Sequence, residues 1–133
     1  HGNPAAAAEQ LADLLRSKGC PKVTVADLAR CDMAEALEDA FRYGKIVLAA
    51  ATYNAGIMPF MEDFLHHLKA KNYQKRTVGL MENGSWALFA VKGMTDILAT
   101  MKDITILPET VTLRGPAKES DLPAMEALAS ALL

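Results

Sequence analysis

Hydrophobic and polar positions along the chain follow two different periods. Short runs of apolar and β-branched residues predict strands, and longer stretches with apolar residues three or four positions apart predict helices. The predicted helices are PAAAAEQLADLLRSKG, DMAEALEDAFR, PFMEDFLHHLKAK, WALFAVKGMTDILATM and a last one that begins near Glu119. The predicted strands are KVTVADL, KIVLAAA and RTVGLME, followed by the extended segment ITILPETVTL. This alternation indicates an α/β fold in three layers, with a parallel sheet between two layers of helices.

The beginning of the chain departs from this alternation. The first helix has Asn3 as a candidate N-cap and Pro4 at its first helical position, and it ends at Gly19. No strand precedes it, although a helix on a doubly wound sheet returns from a strand. In a sheet with the strand order 2-1-3-4-5, the first strand lies at the centre. We therefore expect residues 1–133 to be one domain of a larger protein whose first strand is supplied by residues before His1.

Length, charge and cysteine content narrow the class of protein. A chain of 133 residues, 51% of them hydrophobic, has the size of one compact domain. A formal net charge of −2 with scattered Lys and Arg provides no basic stripe for nucleic acid and no polybasic patch for a membrane. Cys20 and Cys31 have neither a C-x-x-C nor a metal-ligand spacing, and no secretory signal precedes them. The sequence thus favours a cytoplasmic protein with two structural thiols.

Three loops fall at one predicted edge of the sheet. HGN leads into the first helix, ATYNAGIMP follows the third strand of the inferred sheet, and ENGSW follows the fourth. Open α/β sheets bind ligands at this edge, beyond the carboxyl ends of their strands. The first loop suits a phosphate, because Gly2 lets backbone amides approach and a helix N-terminus presents unpaired N–H groups. The other two suit a flat ring, since Tyr53 and Trp86 offer aromatic faces beside turn-forming Asn and Gly residues.

These loops resemble the three FMN loops of the flavodoxin-like domain. The residues that carry the resemblance are His1, Gly2, Asn3, Thr52, Tyr53, Asn54, Ala55, Gly56, Pro59, Glu82, Asn83, Gly84, Ser85, Trp86 and Ala87. They are most similar to the carboxyl-terminal flavodoxin domain of A-type flavoproteins, also called flavodiiron proteins. The resemblance covers essentially the whole chain, and the TYN-x-G-x-x-P loop is its most specific part. It implies a flavodoxin-like doubly wound sheet and a non-covalently bound FMN.

The resemblance also assigns parts of FMN to the three loops. The phosphate would lie at His1, Gly2 and Asn3, where this chain has Pro4 in place of the family's following hydroxyl residue. The isoalloxazine ring would lie between the other two loops. The implied ring contacts are the backbone of Asn54, Ala55 and Gly56 near N5, the backbone of Asn83 and Gly84 near the pyrimidine edge, the faces of Tyr53 or Trp86, and a negative charge from Glu82. No catalytic acid or base is required, because the cofactor performs the redox chemistry.

Flavodiiron members of the family carry a metallo-β-lactamase-like module with two irons earlier in the same chain. By resemblance, this domain belongs to an oxidoreductase. It takes electrons from a small rubredoxin-like donor and passes them to a di-iron centre that reduces oxygen or nitric oxide. Formation of homo-oligomers by the larger parent stays open. No residue of residues 1–133 is predicted to bind a metal.

Three alternatives share this architecture. A phosphoacceptor receiver domain needs an Asp at the end of the third strand, where residues 49–51 are alanines. A stand-alone FMN-dependent NAD(P)H:quinone reductase usually needs a helical insertion for which the chain has no room. A domain that has lost FMN and acts only as an interaction module is favoured by Pro4 alone. At the level of single residues, Trp86 can instead be a core tryptophan, and residues 52–56 a plain connection between strand and helix.

Two adjacent histidines invite a metal site. His66 and His67 point about 100° apart on a helix and cannot easily share one ion. Glu62 and His66, four positions apart, predict a solvated helix pair instead.

Overall fold

The structure is a computed structural model that describes residues 3–20, 22–26, 32–53, 56–57, 59–83, 90–114 and 118–133. Helices and strands alternate along these ranges, as the hydrophobic periodicity predicts. The helices are α1 (Asn3–Ser17), α2 (Met33–Arg42), α3 (Pro59–Ala70), α4 (Ala90–Leu98) and α5 (Leu122–Leu132), with a 3₁₀ turn (Glu119–Asp121) before α5. The strands are β1 (Lys45–Tyr53), β2 (Gly56–Ile57), β3 (Arg76–Asn83), β4 (Ile104–Ile106) and β5 (Val111–Leu113).

The parallel pair β1 and β3 forms the middle of the sheet in the described part of the chain. Their register places Lys45 beside Thr77 and Ala51 beside Asn83. The other edge of β3 pairs in parallel with β4 along its first half and with β5 along its second half. The predicted third, fourth and fifth strands of the 2-1-3-4-5 order therefore lie side by side in the predicted order.

The extended segment at residues 104–113 forms two strands along β3. The Leu107 N–H donates to the Val78 carbonyl at 2.8 Å, which continues the ladder by one bond beyond β4. Pro108 has no N–H to donate next, and the Thr110 N–H turns back to the Pro108 carbonyl at 2.9 Å. The proline thus separates β4 from β5.

The predicted strand KVTVADL is not formed over residues 22–26, and residues 27–28 lie outside the described part. A strand requires a neighbouring strand to satisfy its backbone groups. The described residues place no strand beside this segment, and along residues 45–51 they pair β1 with β3 on one edge only. Residues 22–26 contact the rest of the chain through other groups: Arg16 Nη2 donates to the Val23 carbonyl at 3.2 Å, and the Thr24 and Tyr43 hydroxyls lie 3.3 Å apart.

Local signals set the ends of the first two helices. α1 ends in a Schellman motif, in which the Cys20 N–H donates to the Leu15 carbonyl (3.0 Å) and the Gly19 N–H to the Arg16 carbonyl (3.1 Å). Gly19 has a φ of +96°, a conformation that side chains disfavour. α2 begins where predicted, because the Asp32 side chain caps it by accepting from the Ala34 N–H at 3.1 Å.

Helices cover both faces of the sheet. On one face α2, α3 and α4 bury a cluster that includes Leu65, Leu68, Val78, Leu80 and Met94. On the other face α1 and α5 bury a second cluster that includes Leu11, Met81, Val111, Met125 and Leu128. Alternate residues of β3 belong to the two clusters, as the period of a strand buried on both faces requires. The predicted three-layer arrangement is confirmed.

Candidate functional site

The carboxyl ends of β1, β3 and β5 lie side by side at one edge of the sheet. Asn83 has Ala51 beside it on β1 and Leu113 beside it on β5. The early turns of α1 lie against the same edge, since Ala7 faces the same space as these strand ends. The structure thus brings α1 and the end of β3 together at the edge where the sequence predicts a ligand.

A shallow hollow that is partly open to solvent lies at this edge. Its lining residues are Ala7, Ala49, Ala50, Met81, Glu82, Asn83 and Leu113. Ala7 and Ala49, which pack on the α1 side of the sheet, end at Cβ where larger side chains would fill the space. The hollow is shallow, and the described residues alone do not enclose a ligand-sized space.

Two polar residues are buried at the strand end that borders this hollow. Glu82 is 8% exposed and Asn83 is 7% exposed, and they are the buried polar or charged residues among those that the structure describes. Both belong to the predicted ligand loop after the fourth strand. Since buried polar groups cost free energy unless they are hydrogen-bonded, their position at the strand end indicates a specific role there.

The Glu82 carboxylate joins three elements. Its Oε1 accepts a hydrogen bond from the Val91 N–H in the first turn of α4, at 3.2 Å. Its Oε2 accepts one from the Thr112 hydroxyl on β5, also at 3.2 Å. Glu82 itself lies on β3, so its side chain ties β3, β5 and α4 together behind Asn83. Both carboxylate oxygens thus have donors within the protein, and the negative charge near the flavin that the resemblance assigns to Glu82 stays a prediction.

The predicted loop at residues 52–56 begins and ends as a hairpin. Thr52 and Tyr53 are the last residues of β1, and Gly56 begins β2. β2 pairs antiparallel with β1, with Thr52 beside Ile57 and Tyr53 beside Gly56. The connection between them is two residues long, Asn54 and Ala55, which lie outside the described residues. The strand β1 thus extends two residues further than the predicted KIVLAAA, because β2 supplies backbone partners for them.

Several predicted site residues lie outside the part of the chain that the structure describes. They are His1, Gly2, Gly84, Ser85 and Trp86, and Cys31 lies outside this part as well. Asn3 is the first residue of α1, one position later in the helix than an N-cap. The predicted roles of these residues stay predictions. The predicted fourth helix is found over residues 90–98, and residues 86–89 at its predicted beginning lie outside the described part.

The two histidines of α3 lie in exposed pairs. His66 Nε2 is 3.9 Å from Glu62 Oε1, and His67 Nε2 is 3.6 Å from Asp63 Oδ1. Within the described ranges, no group of three or more His, Cys, Asp and Glu residues is placed to hold a metal ion. The helices of those same ranges include none with the length and hydropathy of a membrane span.

Three contributors to the edge were not anticipated from the sequence. Ala7 lines the hollow, and Val91 and Thr112 donate to Glu82. The alanine run of the first helix predicts helix formation and nothing about a ligand. Thr112 lies 30 positions after Glu82, and a lone Thr in a strand has no pattern that identifies its partner. Only the pairing of β3 with β5 brings the two side chains together.

Comparison with known proteins supports the fold. No family model matches the chain, and no curated protein matches it. Among solved structures, the rubredoxin oxygen:oxidoreductase (ROO) from the anaerobe Desulfovibrio gigas matches with a TM-score of 0.86 and 20% identity, over 98% of this chain and 33% of that one. A flavodoxin from the domain Archaea matches with a TM-score of 0.82 and 20% identity, over 98% and 88%. A flavodiiron protein from Giardia intestinalis matches with a TM-score of 0.80 and 19% identity, over 98% and 33%.

These matches confirm the predicted flavodoxin-like fold. The chain spans about a third of the length of the ROO and Giardia chains and most of the archaeal flavodoxin. The same arrangement of a parallel sheet and flanking helices thus occurs both as a nearly whole protein and as a part of longer oxidoreductase and flavodiiron chains.

Proposed function

We propose that residues 1–133 are an FMN-binding electron-transfer domain. The observation that carries this proposal is the hollow at the carboxyl edge of the sheet, floored by alanines and bordered by the early part of α1 and by two buried polar residues. Open α/β sheets bind ligands at this edge. The likeness to an archaeal flavodoxin over 98% of the chain supports the same assignment.

The residues present fit FMN. The first turn of α1 presents backbone N–H groups that lack intrahelical partners, and these can bind the phosphate. Pro4 provides no N–H, so the phosphate has one amide donor fewer in this turn. Alanines at residues 49–51 keep large side chains away from the end of β1, where the ribityl chain and ring would lie. The groups that would contact FMN are His1, Gly2, Asn3, Thr52, Tyr53, Asn54, Ala55, Gly56, Asn83, Gly84, Ser85 and Trp86, and Glu82 lies beside them at the end of β3.

When bound, FMN supplies the electron transfer, and the chain supplies binding, orientation and charge. The helix dipole of α1 favours the phosphate dianion at its amino end. Aromatic faces of Tyr53 and Trp86 would exclude water from the ring.

The finer part of the proposal concerns partners. We propose that the domain relays electrons from a small rubredoxin-like redox protein to a di-iron module of the same larger protein, which reduces oxygen or nitric oxide. The matches to ROO and to a flavodiiron protein, each over about a third of the longer chain, support this arrangement.

Flavin titration tests the function. Purified protein should bind about one equivalent of FMN, and the fluorescence of Trp86, the single tryptophan of the chain, should fall as the flavin binds. Trp86→Ala should weaken binding by about 1 kcal/mol, the order of a lost aromatic pair. The matched control is Tyr43→Ala, which removes an aromatic side chain beyond the opposite edge of the sheet and should leave the affinity unchanged.

Two results would contradict this picture in different ways. Protein that stays colourless and does not quench flavin fluorescence would leave an interaction module as the better assignment. A Trp86→Ala variant that loses about 3 to 5 kcal/mol of stability with its FMN affinity intact would place Trp86 in the core.

A further inference from the structure

The buried carboxylate of Glu82 has its two oxygens engaged by two different elements. Oε1 accepts from the Val91 N–H and Oε2 from the Thr112 hydroxyl, each at 3.2 Å. Val91 is the second residue of α4 in the described part of the chain, and its backbone N–H donates to a side chain on a neighbouring strand. Glu82 supplies the acceptor from β3, and Thr112 orients the carboxylate from β5.

These contacts span the two ends of a predicted ligand loop. Asn83 and Ala90 border residues 84–89. Glu82 immediately precedes Asn83, and Val91 immediately follows Ala90. A bond between Glu82 and Val91 therefore sets the spacing between the end of β3 and the start of α4. We propose that Glu82 is a positioning residue for flavin binding, acting through these hydrogen bonds and not by contact with the ring. This inference rests on the proposed function.

The chemistry of the two donors allows the effect of the hydrogen bonds of Glu82 to be separated from the effect of its charge. Both donors are neutral, and no ion pair joins Glu82 to a Lys or Arg in the described part of the chain. A glutamine has the same shape: its Oε1 can accept from Val91, and its Nε2 can donate to the Thr112 oxygen, because a hydroxyl both donates and accepts. Glu82→Gln thus removes the charge and keeps both bonds, whereas Glu82→Ala removes both.

The experiment compares Glu82→Gln, Glu82→Ala and Thr112→Val with wild-type protein. Glu62→Ala, which removes an exposed carboxylate on α3, is the control. The readouts are amide hydrogen exchange at Val91 without flavin, FMN affinity, and the flavin midpoint potential, with denaturant unfolding to establish that each variant is folded.

Glu82→Ala should speed Val91 exchange and weaken FMN binding, each by about ten-fold or more. Glu82→Gln should stay within about three-fold of wild type in both, with its potential unchanged. Thr112→Val should have a smaller effect than Glu82→Ala.

Each contrary outcome has a distinct meaning. If Glu82→Gln weakens binding or shifts the potential as much as Glu82→Ala, the charge acts on the flavin and the positioning role is overturned. The role is also overturned if Glu82→Ala leaves both Val91 exchange and affinity unchanged. If wild-type protein binds no FMN, the proposed function fails and this role fails with it. Val91 exchange then still shows whether Glu82 anchors α4, so the two failures are distinguishable.

Discussion

The two ends of the parallel sheet are stabilised by opposite kinds of polar group. At the amino end, the Arg76 guanidinium lies over the ring of Tyr73, 5.1 Å from its centroid. It donates to three backbone carbonyls, those of Phe41 (3.0 Å), Tyr43 (3.0 Å) and Gln74 (2.7 Å). At the carboxyl end, the Glu82 carboxylate accepts from a backbone N–H and a hydroxyl. The stabilising polar group is thus a cation at the amino end of the sheet and an anion at the carboxyl end.

The two ends also differ in how they are filled. Tyr73 is 1% exposed and packs edge-to-face against Phe41, with the ring centroids 5.1 Å apart. Alanines at the carboxyl end leave the hollow instead. Burial of large side chains stabilises the folded state by excluding water. Small side chains contribute less of this stabilisation where a ligand needs the space. We therefore expect changes at the amino end to lower the free energy of unfolding, and changes at the carboxyl end to lower FMN affinity.

The largest expected effect is that of Tyr73→Ala. Removing a buried aromatic side chain should lower the free energy of unfolding by about 3 to 5 kcal/mol, since the cavity adds to the lost burial. Denaturant unfolding of the flavin-free protein measures this loss. FMN affinity per folded molecule should be unchanged, and a clear fall in it would show that the two ends are coupled.

The second effect is a dependence of stability on pH. Burial raises the pKa of Tyr73 from 10.0 to about 12, while the positive charge of Arg76 acts in the opposite direction. Between these values the unfolded chain has released the phenolic proton and the folded chain keeps it. The free energy of unfolding should thus fall as the pH rises from about 10 to about 12, by roughly 2 to 3 kcal/mol from this group.

Tyr73→Phe is the matched control for this pH dependence. It removes the titrating hydroxyl, which has no hydrogen-bond partner among the described residues, and keeps the packing. The variant should be at least as stable as wild type at pH 7, and the difference in stability should grow in its favour up to pH 12. Parallel stability curves for the two proteins from pH 9 to 12 would contradict a buried, protonated Tyr73.

The third effect concerns Arg76 itself. Arg76→Met keeps an aliphatic chain but leaves three carbonyls without their donor. It should therefore lower the free energy of unfolding by about 1.5 to 3 kcal/mol. Arg42→Met is the control, because Arg42 forms an exposed pair with Asp39 (3.2 Å) that is worth at most about 1 kcal/mol. Chemical denaturation of both variants measures the difference. Equal losses would show that the contacts of Arg76 add nothing beyond those of a surface pair.

Much of the candidate site could be located from the sequence, but less of its chemistry. The edge of the sheet follows from the order of strands and helices, and Glu82 and Asn83 were assigned to it from the ENGSW segment. What Glu82 does there depends on Val91 and Thr112, which are 9 and 30 positions away. A sequence pattern shows that a carboxylate follows a strand, and it does not show which donors meet that carboxylate.

The sequence by itself determined the helices and most strands of this protein, because their signals act over a few residues. The Gly19 stop, the Asp32 cap and the proline at the start of α3 all act within one turn. The apolar run of β3 predicts a strand buried on both faces without reference to its neighbours.

The tertiary structure decided which extended segments became strands and which polar groups met. Residues 22–26 have strand-forming composition but no neighbouring strand in the described part, whereas Thr52 and Tyr53 join β1 because β2 pairs with them. The hydrogen bonds of Arg76 and of Glu82 join residues up to 35 positions apart. A strand and a buried charge are both completed by partners from elsewhere in the chain, and only folding brings those partners within hydrogen-bonding distance.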